Sequence, residues 1–444
     1  MKKRNLLTGN ITSHMFRLAL PSIGGMFAIT IFNLTDTYFV SKLGTDALAA
    51  MGFTFPVVMI IGAFSGGISL GAGSILARAM GSGNTHKMHR IATDGILLSI
   101  LSVFLISIIG TLTIDPVFRL LGAEGQSLEL VKQYMSIWYY GAFVIVVPPV
   151  SDSSMRAMGD MIRPLLVMIT CAIMNAILDP ILIFGWFGLP AMGIRGASLA
   201  TIISRTFGMV LTISFVHFHY GLLNFKYNGV KELLQSWSDI LRIGIPNVII
   251  RLLPQLLRAG MTRIAAGIAI GTTAVAAIAA GQRIESFATI ISMAVGTALV
   301  PIIGQNFGAG KYDRVMSTRK LVIKISIAYG LLLLVLIMPF GEVLASIFSD
   351  DPKVIKLAGT YLRIILPGSI GLNQYNWLSE SFNAVGKPRY SMLLNVVGTV
   401  GIMFPLLFVG SYIADFPGMV IGLTVGQLIV GLCAVYLSKK YLIG

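Results

Sequence analysis

Long apolar runs, each closed by charged or turn-forming residues, follow one another along the whole chain. They predict twelve helices over 14–40, 47–76, 91–114, 131–151, 161–186, 190–216, 239–265, 272–303, 319–339, 354–378, 388–412 and 417–438. A bilayer crossing takes about 20 apolar residues. Several runs are longer, as tilted or kinked spans require. The stretch 217–238 (HFHYGLLNFKYNGVKELLQSWS) is polar and predicts a linker along the cytoplasmic surface.

The pattern repeats at an offset near 225. Pro21 in LALPS recurs as Pro246 in IGIPN, and RAMGSGN at 78–84 as QNFGAGK at 305–311. MRAMGDMIRP at 155–164 matches FNAVGKPRY at 382–390, and DPILIFG at 179–185 matches FPLLFVG at 404–410. Six spans per half bring both halves into the membrane in the same direction. The expected fold is therefore an all-α integral membrane protein of two pseudo-symmetric six-helix lobes, 1–216 and 239–444, related about the membrane normal with a central cavity.

Composition agrees with the pattern. Of 444 residues 55% are hydrophobic and 11% charged, with a mean hydropathy of +0.84. Soluble domains carry about 25% charged residues. The formal charge of +15 does not point to nucleic acid, because of where it sits. Twenty-one of the 33 Lys and Arg residues, Lys2, Lys3, Arg4 and Lys226 among them, lie on the side of the N-terminus; seven lie opposite. The positive-inside rule then puts both termini in the cytoplasm, with the excess charge serving topology and anionic lipid. The basic start is not followed by a cleavable signal, since His14 and Arg17 interrupt what comes next. Cys171 and Cys433 sit in apolar runs and read as packing residues. The five histidines have no carboxylate or thiol cluster beside them, so no metal site or cofactor is expected.

Charged groups inside spans are expensive and are functional candidates by default. Asp36 and Asp179 stand out, because the repeat places Met261 and Phe404 opposite them. The architecture therefore does not require an acid at either place. Asp36 lies about 22 residues into the first span, ~33 Å at 1.5 Å per residue, and Asp179 ~27 Å into the fifth. Asn175 is one turn from Asp179 on the same face. Thr201, whose counterpart is Gly426, enters the sixth span from the other side. Two carboxylates sharing a poorly hydrated site cannot readily both be ionised. Such a site takes up a proton, and its oxygens also suit Na⁺. Pro21 removes a backbone donor inside the first span and predicts a bend there.

The second half holds another polar set, Arg251, Arg258, Arg283 and Glu285, with Glu285 expected to pair with Arg251 or Arg258. Asp152 and Glu380 occupy similar positions in the two halves. Met26, Phe27, Phe32, Met59, Phe64, Met174 and Met293 suit a pocket that takes varied ligands. GAGKY at 308–312 lacks the glycine and hydroxyl of a phosphate loop. No catalytic constellation is visible, so no enzyme is expected and an ion gradient is the remaining energy source.

On LALPS with Pro21, NLTDTYFVSKLGTDALAA at 33–50, RAMGSGN, and NAILDP at 175–180 followed by GASLAT at 196–201, the chain resembles the multidrug and toxic compound extrusion (MATE) family, in its DinF-like bacterial branch. The resemblance covers essentially the whole chain. It implies two six-helix lobes and drug/cation antiport. It also implies a cation-linked network on Asp36, Asn175, Asp179 and Thr201, with Pro21 bending the first helix. Other branches carry acids in the seventh and tenth helices, where this chain has Arg251 and Arg258 and no deep acid. The expected function is cation-coupled export, H⁺ before Na⁺, of varied and often cationic organic compounds by alternating access. Membrane lipids surround the protein, which is expected to act as a monomer. The alternative is a flippase for lipid-linked precursors, which the three arginines keep open.

Overall fold

A computed structural model describes residues 6–225, 229–268 and 270–443. Lys2, Lys3, Arg4 and Lys226 of the charge tally lie outside these residues. Among the described residues every regular element is helical. The first half contains α1 (Ile11–Ser41), α2 (Thr45–Gly81), α3 (Thr85–Leu112), α4 (Ile114–Leu120), α5 (Gly125–Tyr140), α6 (Phe143–Val146), α7 (Pro148–Ala157), α8 (Ile162–Phe184) and α9 (Ile194–Ser214). The second contains α10 (Val230–Ala266), α11 (Gly271–Gly308), α12 (Tyr312–Ile337), α13 (Gly341–Ala345), α14 (Pro352–Ile365), α15 (Gly368–Ala384), α16 (Pro388–Val396) and α17 (Phe404–Tyr441).

Among the described residues nine helical stretches are long and apolar enough to cross a bilayer, and the bent pair α5 with α6–α7 makes a tenth. The stretch Pro388–Tyr441 is itself two spans. Ala414 and Asp415 leave helical geometry, Asp415 at φ 48°. The chain then doubles back so that Gly410 meets Gly418 and Gly422 meets the Leu406 carbonyl. A side chain at these glycines would wedge the two arms apart. The pair α14–α15 is too polar to pass as a span by composition. It is nonetheless packed against α11 and α17, which brings the count to the twelve read from hydropathy.

The fourth and tenth spans differ from their expected form. Each is broken rather than continuous, the fourth bending by 64° between Gly125–Tyr140 and Phe143–Ala157. Pro148 and Pro149 follow the first break and Pro367 stands at the second. A proline supplies no backbone donor to continue the ladder. Elsewhere the sequence repeat is visible in the backbone. Gly83 and Gly310 adopt φ of 72° and 70° at matching turns, and Gly159 and Gly386 adopt 78° and 83°.

The chain forms two compact units, one of Leu20–Ile245 and one of Leu6–Ala19 with Pro246–Gly444. Both divisions fall beside a repeated proline, Pro21 in α1 and Pro246 in α10. In the first unit the polar stretch after α9 folds back onto α3. The Leu222 carbonyl meets His89 at 3.1 Å, Asn224 N–H donates to Thr93 at 3.0 Å, and Trp237 donates to the Asp94 carbonyl at 2.9 Å. The end of that stretch, from Val230, is already helix α10. In the second unit the segment before α1 is held by α11 and α12. Arg314 donates to Gly9 and Leu6 carbonyls at 3.0 and 3.3 Å, and Lys311 to Leu7 at 3.0 Å.

Side-chain distribution is that of a protein in lipid. Leu97, Leu101, Phe104, Leu105, Ile108 and Leu112 form an exposed apolar stripe along α3, recurring at helical spacing. Buried positions include many small and polar residues, such as Ser74, Ser99, Ser151, Ser198 and Ser204. Small residues let backbones approach where hydrophobicity alone gives no attraction between helices.

Candidate functional site

Three helices of the first unit bring the expected network together. Asp36, near the end of α1, is 5% exposed, and Asn175 and Asp179 on α8 are fully buried. Asn175 Nδ2 donates to Asp179 Oδ1 at 3.0 Å, as the one-turn spacing requires. Thr201 on α9 is 6% exposed. Gly196, from the GASLAT stretch, lets α9 lie against α8: a Cβ there would strike the Leu182 carbonyl. Asp36 and Asp179 are near enough to repel each other electrostatically.

Tyr134 was not singled out by sequence. It lies on α5, is 5% exposed, and its phenol stands within electrostatic reach of Asp36 and Asp179 and beside the Thr201 hydroxyl. The α5 backbone is pinned to α9 at that residue, where Ser198 donates to the Tyr134 carbonyl at 3.0 Å. In sequence Tyr134 is one aromatic in the run YMSIWYY, with no spacing to mark it.

The cluster is rich in oxygen and poor in donors. Asp36 Oδ1, Asn175 Oδ1, Asp179 Oδ2 and Thr201 Oγ1 are buried and have no hydrogen-bond partner in the protein. Among the described residues no ion pair reaches Asp36 or Asp179. The nearest cation on these elements, Arg205, is one turn beyond Thr201. Its guanidinium lies 4.4 Å from the Phe32 ring, and its charge is felt by Asp152. Buried polar atoms without partners cost about 1–3 kcal/mol each. Hard oxygens so arranged suit a proton or a small alkali cation.

The second unit gives an internal comparison. Met261, opposite Asp36, is 2% exposed, and the Phe404 ring, opposite Asp179, packs on Gly260. The same place in that unit is filled by apolar packing. Pro21 lies within α1, which runs through it as helix.

The expected ion pair of Glu285 is not formed. Glu285 accepts a hydrogen bond from the Tyr361 hydroxyl at 2.8 Å and is only within electrostatic reach of Arg258. Arg251 instead neighbours Glu380. Both arginines are exposed, while Glu285 is partly covered. Arg283 lies 5.6 Å from the Phe348 ring. Asp152 and Glu380 do resemble one another: each keeps one buried carboxylate oxygen without a partner.

A helical chain of apolar spans, built from two repeats and holding a buried oxygen cluster, is an integral membrane protein of the kind that moves ions and solutes. The MatE family model matches it twice, over residues 21–181 and 246–409, each match starting at a repeated proline. The chain belongs to the MATE family of membrane transporters. It is 35% identical over 99% of its length, and 97% of the relative's, to the FAD transporter of Shewanella oneidensis. It is 24% identical to the multidrug export protein MepA of Staphylococcus haemolyticus, over 96% of this chain and 93% of the relative. Among solved structures it resembles the Vibrio cholerae MATE transporter VcmN in the bent form, with a TM-score of 0.91 and 26% identity, covering 97% of each chain. It also resembles a Pyrococcus furiosus transporter of the MOP superfamily, described as having a binding pocket of reverse polarity that suggests a different function. There the TM-score is 0.90 and the identity 25%, over 100% of this chain and 98% of the other.

Proposed function

We propose that this protein exports organic compounds by alternating access, driven by a cation that enters through the Asp36, Asn175, Asp179 and Thr201 cluster. The observation that supports this best is the set of four buried oxygens without protein partners. A cation arriving from outside lowers the net charge of the carboxylate pair and relieves their repulsion. That favours one conformation over another, as any ligand-driven change requires. Pro21 is the point at which α1 gives way. H⁺ is the first coupling ion and Na⁺ the second, because the same oxygens serve either. The orientation that fits has both termini on the cytoplasmic side of a bacterial inner membrane.

The substrate has two readings. Relatives named for multidrug export support varied, often cationic, organic compounds. The FAD transporter, at higher identity, supports a flavin dinucleotide. Purified protein in liposomes, given a pH gradient or a Na⁺ gradient in turn, tests coupling with either substrate inside. Movement under the pH gradient alone is expected. Movement only under Na⁺ changes the ion and keeps the site. Movement under neither overturns the reading and favours lipid translocation.

A further inference from the structure

Span α10 carries a polar stripe that the oxygen cluster does not use. Arg251, Gln255 and Arg258 are all exposed and lie at i, i+4 and i+7, on one face of the helix. Measured from Ile243, where the span turns apolar, Arg251 and Arg258 are about 12 and 22 Å along the axis, well within membrane depth. An arginine there faces water or protein and not lipid tails. The repeat again serves as an internal comparison: the residues 225 positions earlier are Met26, Thr30 and Asn33. The architecture does not need charge at these places. Glu380 lies near Arg251 and Glu285 near Arg258, but among the described residues neither acid forms an ion pair with them. Glu285 is held by Tyr361.

We infer that Arg251, Gln255 and Arg258 form the recognition stripe for a phosphate-bearing organic anion. Guanidinium groups match phosphate oxygens with paired donors that a lysine cannot reproduce. Two of them about 10 Å apart along one helix face, with an amide donor between, span a phosphate linkage and one flanking group. The inference rests on the proposed export reading, and selects the anionic substrate over the cationic one.

The test is equilibrium binding to the purified full chain in detergent, with FAD, flavin mononucleotide and uncharged riboflavin as probes. Wild type is expected to bind both phosphate-bearing flavins, and riboflavin at least tenfold more weakly. R251Q and R258Q should each weaken FAD binding about tenfold, equivalent to about 1.4 kcal/mol, and leave riboflavin binding unchanged. R258K should recover part of the loss. Unchanged FAD binding in the double variant, with a normal gel-filtration profile, would overturn the inference. So would phosphatidylglycerol displacing FAD from wild type at equal phosphate concentration, since the stripe would then be a lipid headgroup site. Gradient-driven movement of an organic cation by a wild type that binds no flavin would overturn it too, while leaving the export reading intact. D36N, which should bind FAD normally yet not transport it, separates the two.

Discussion

Asparagine at position 36 keeps the shape of the aspartate, removes its charge and adds an N–H donor. In the native cluster four oxygens lack protein partners, and each such group costs about 1–3 kcal/mol. The new amide can satisfy one of them, so Asp36→Asn should fold and should melt at the wild-type temperature or above it. Transport should behave in the opposite way. One proton exchanged across one pH unit supplies about 1.4 kcal/mol, enough for a tenfold substrate gradient. With the site unable to titrate, that gradient should fall to unity. The assay pairs a thermal melt in detergent with accumulation of a fluorescent organic substrate in liposomes after a one-unit pH step. A tenfold gradient retained by the variant would remove Asp36 from coupling. A loss of several kcal/mol in stability would make it a structural residue instead.

Tyr134→Phe removes only the hydroxyl beside Thr201, so folding should survive within about 1 kcal/mol while gradient-driven transport falls severalfold; unchanged transport in liposomes would leave Tyr134 as packing. Between α7 and α8, burial pushes the Asp160 carboxyl up. Donors from Tyr220, the Arg163 and Ile162 backbone and the Arg163 side chain outweigh burial and hold it below its usual value. Its stabilising contribution is therefore full above about pH 4, the unfolded aspartate value, and is lost as pH falls further. Melting curves of Asp160→Asn should lie below wild type at pH 7 and approach it as pH falls below about 4. Gly422→Val places carbon against the Leu406 carbonyl and should prevent accumulation of folded protein, read by membrane yield and gel filtration, because the two arms on either side of Asp415 can no longer close.

Much of this protein was legible from one dimension. Apolar runs of about 20 residues set the spans because the bilayer core has a fixed thickness. The repeat followed from turns whose glycines must take positive φ, seen at Gly83 and Gly310. Comparing the halves also marked Asp36 and Asp179, since Met261 and Phe404 show what the scaffold accepts there. Three features depended on the tertiary structure. Tyr134 joins the cluster only because α5 is pinned to α9 through Ser198. Glu285 takes the Tyr361 hydroxyl as its hydrogen-bond partner, because α14 brings Tyr361 against α11, while Arg258 stays only within electrostatic reach. The fourth and tenth spans break into two helices each, at points the apolar pattern does not mark. Hydropathy and spacing fix how far along a helix a residue lies and which neighbours share its face. Which other helix that face meets depends on rotation and crossing, and those are set by packing across the whole unit.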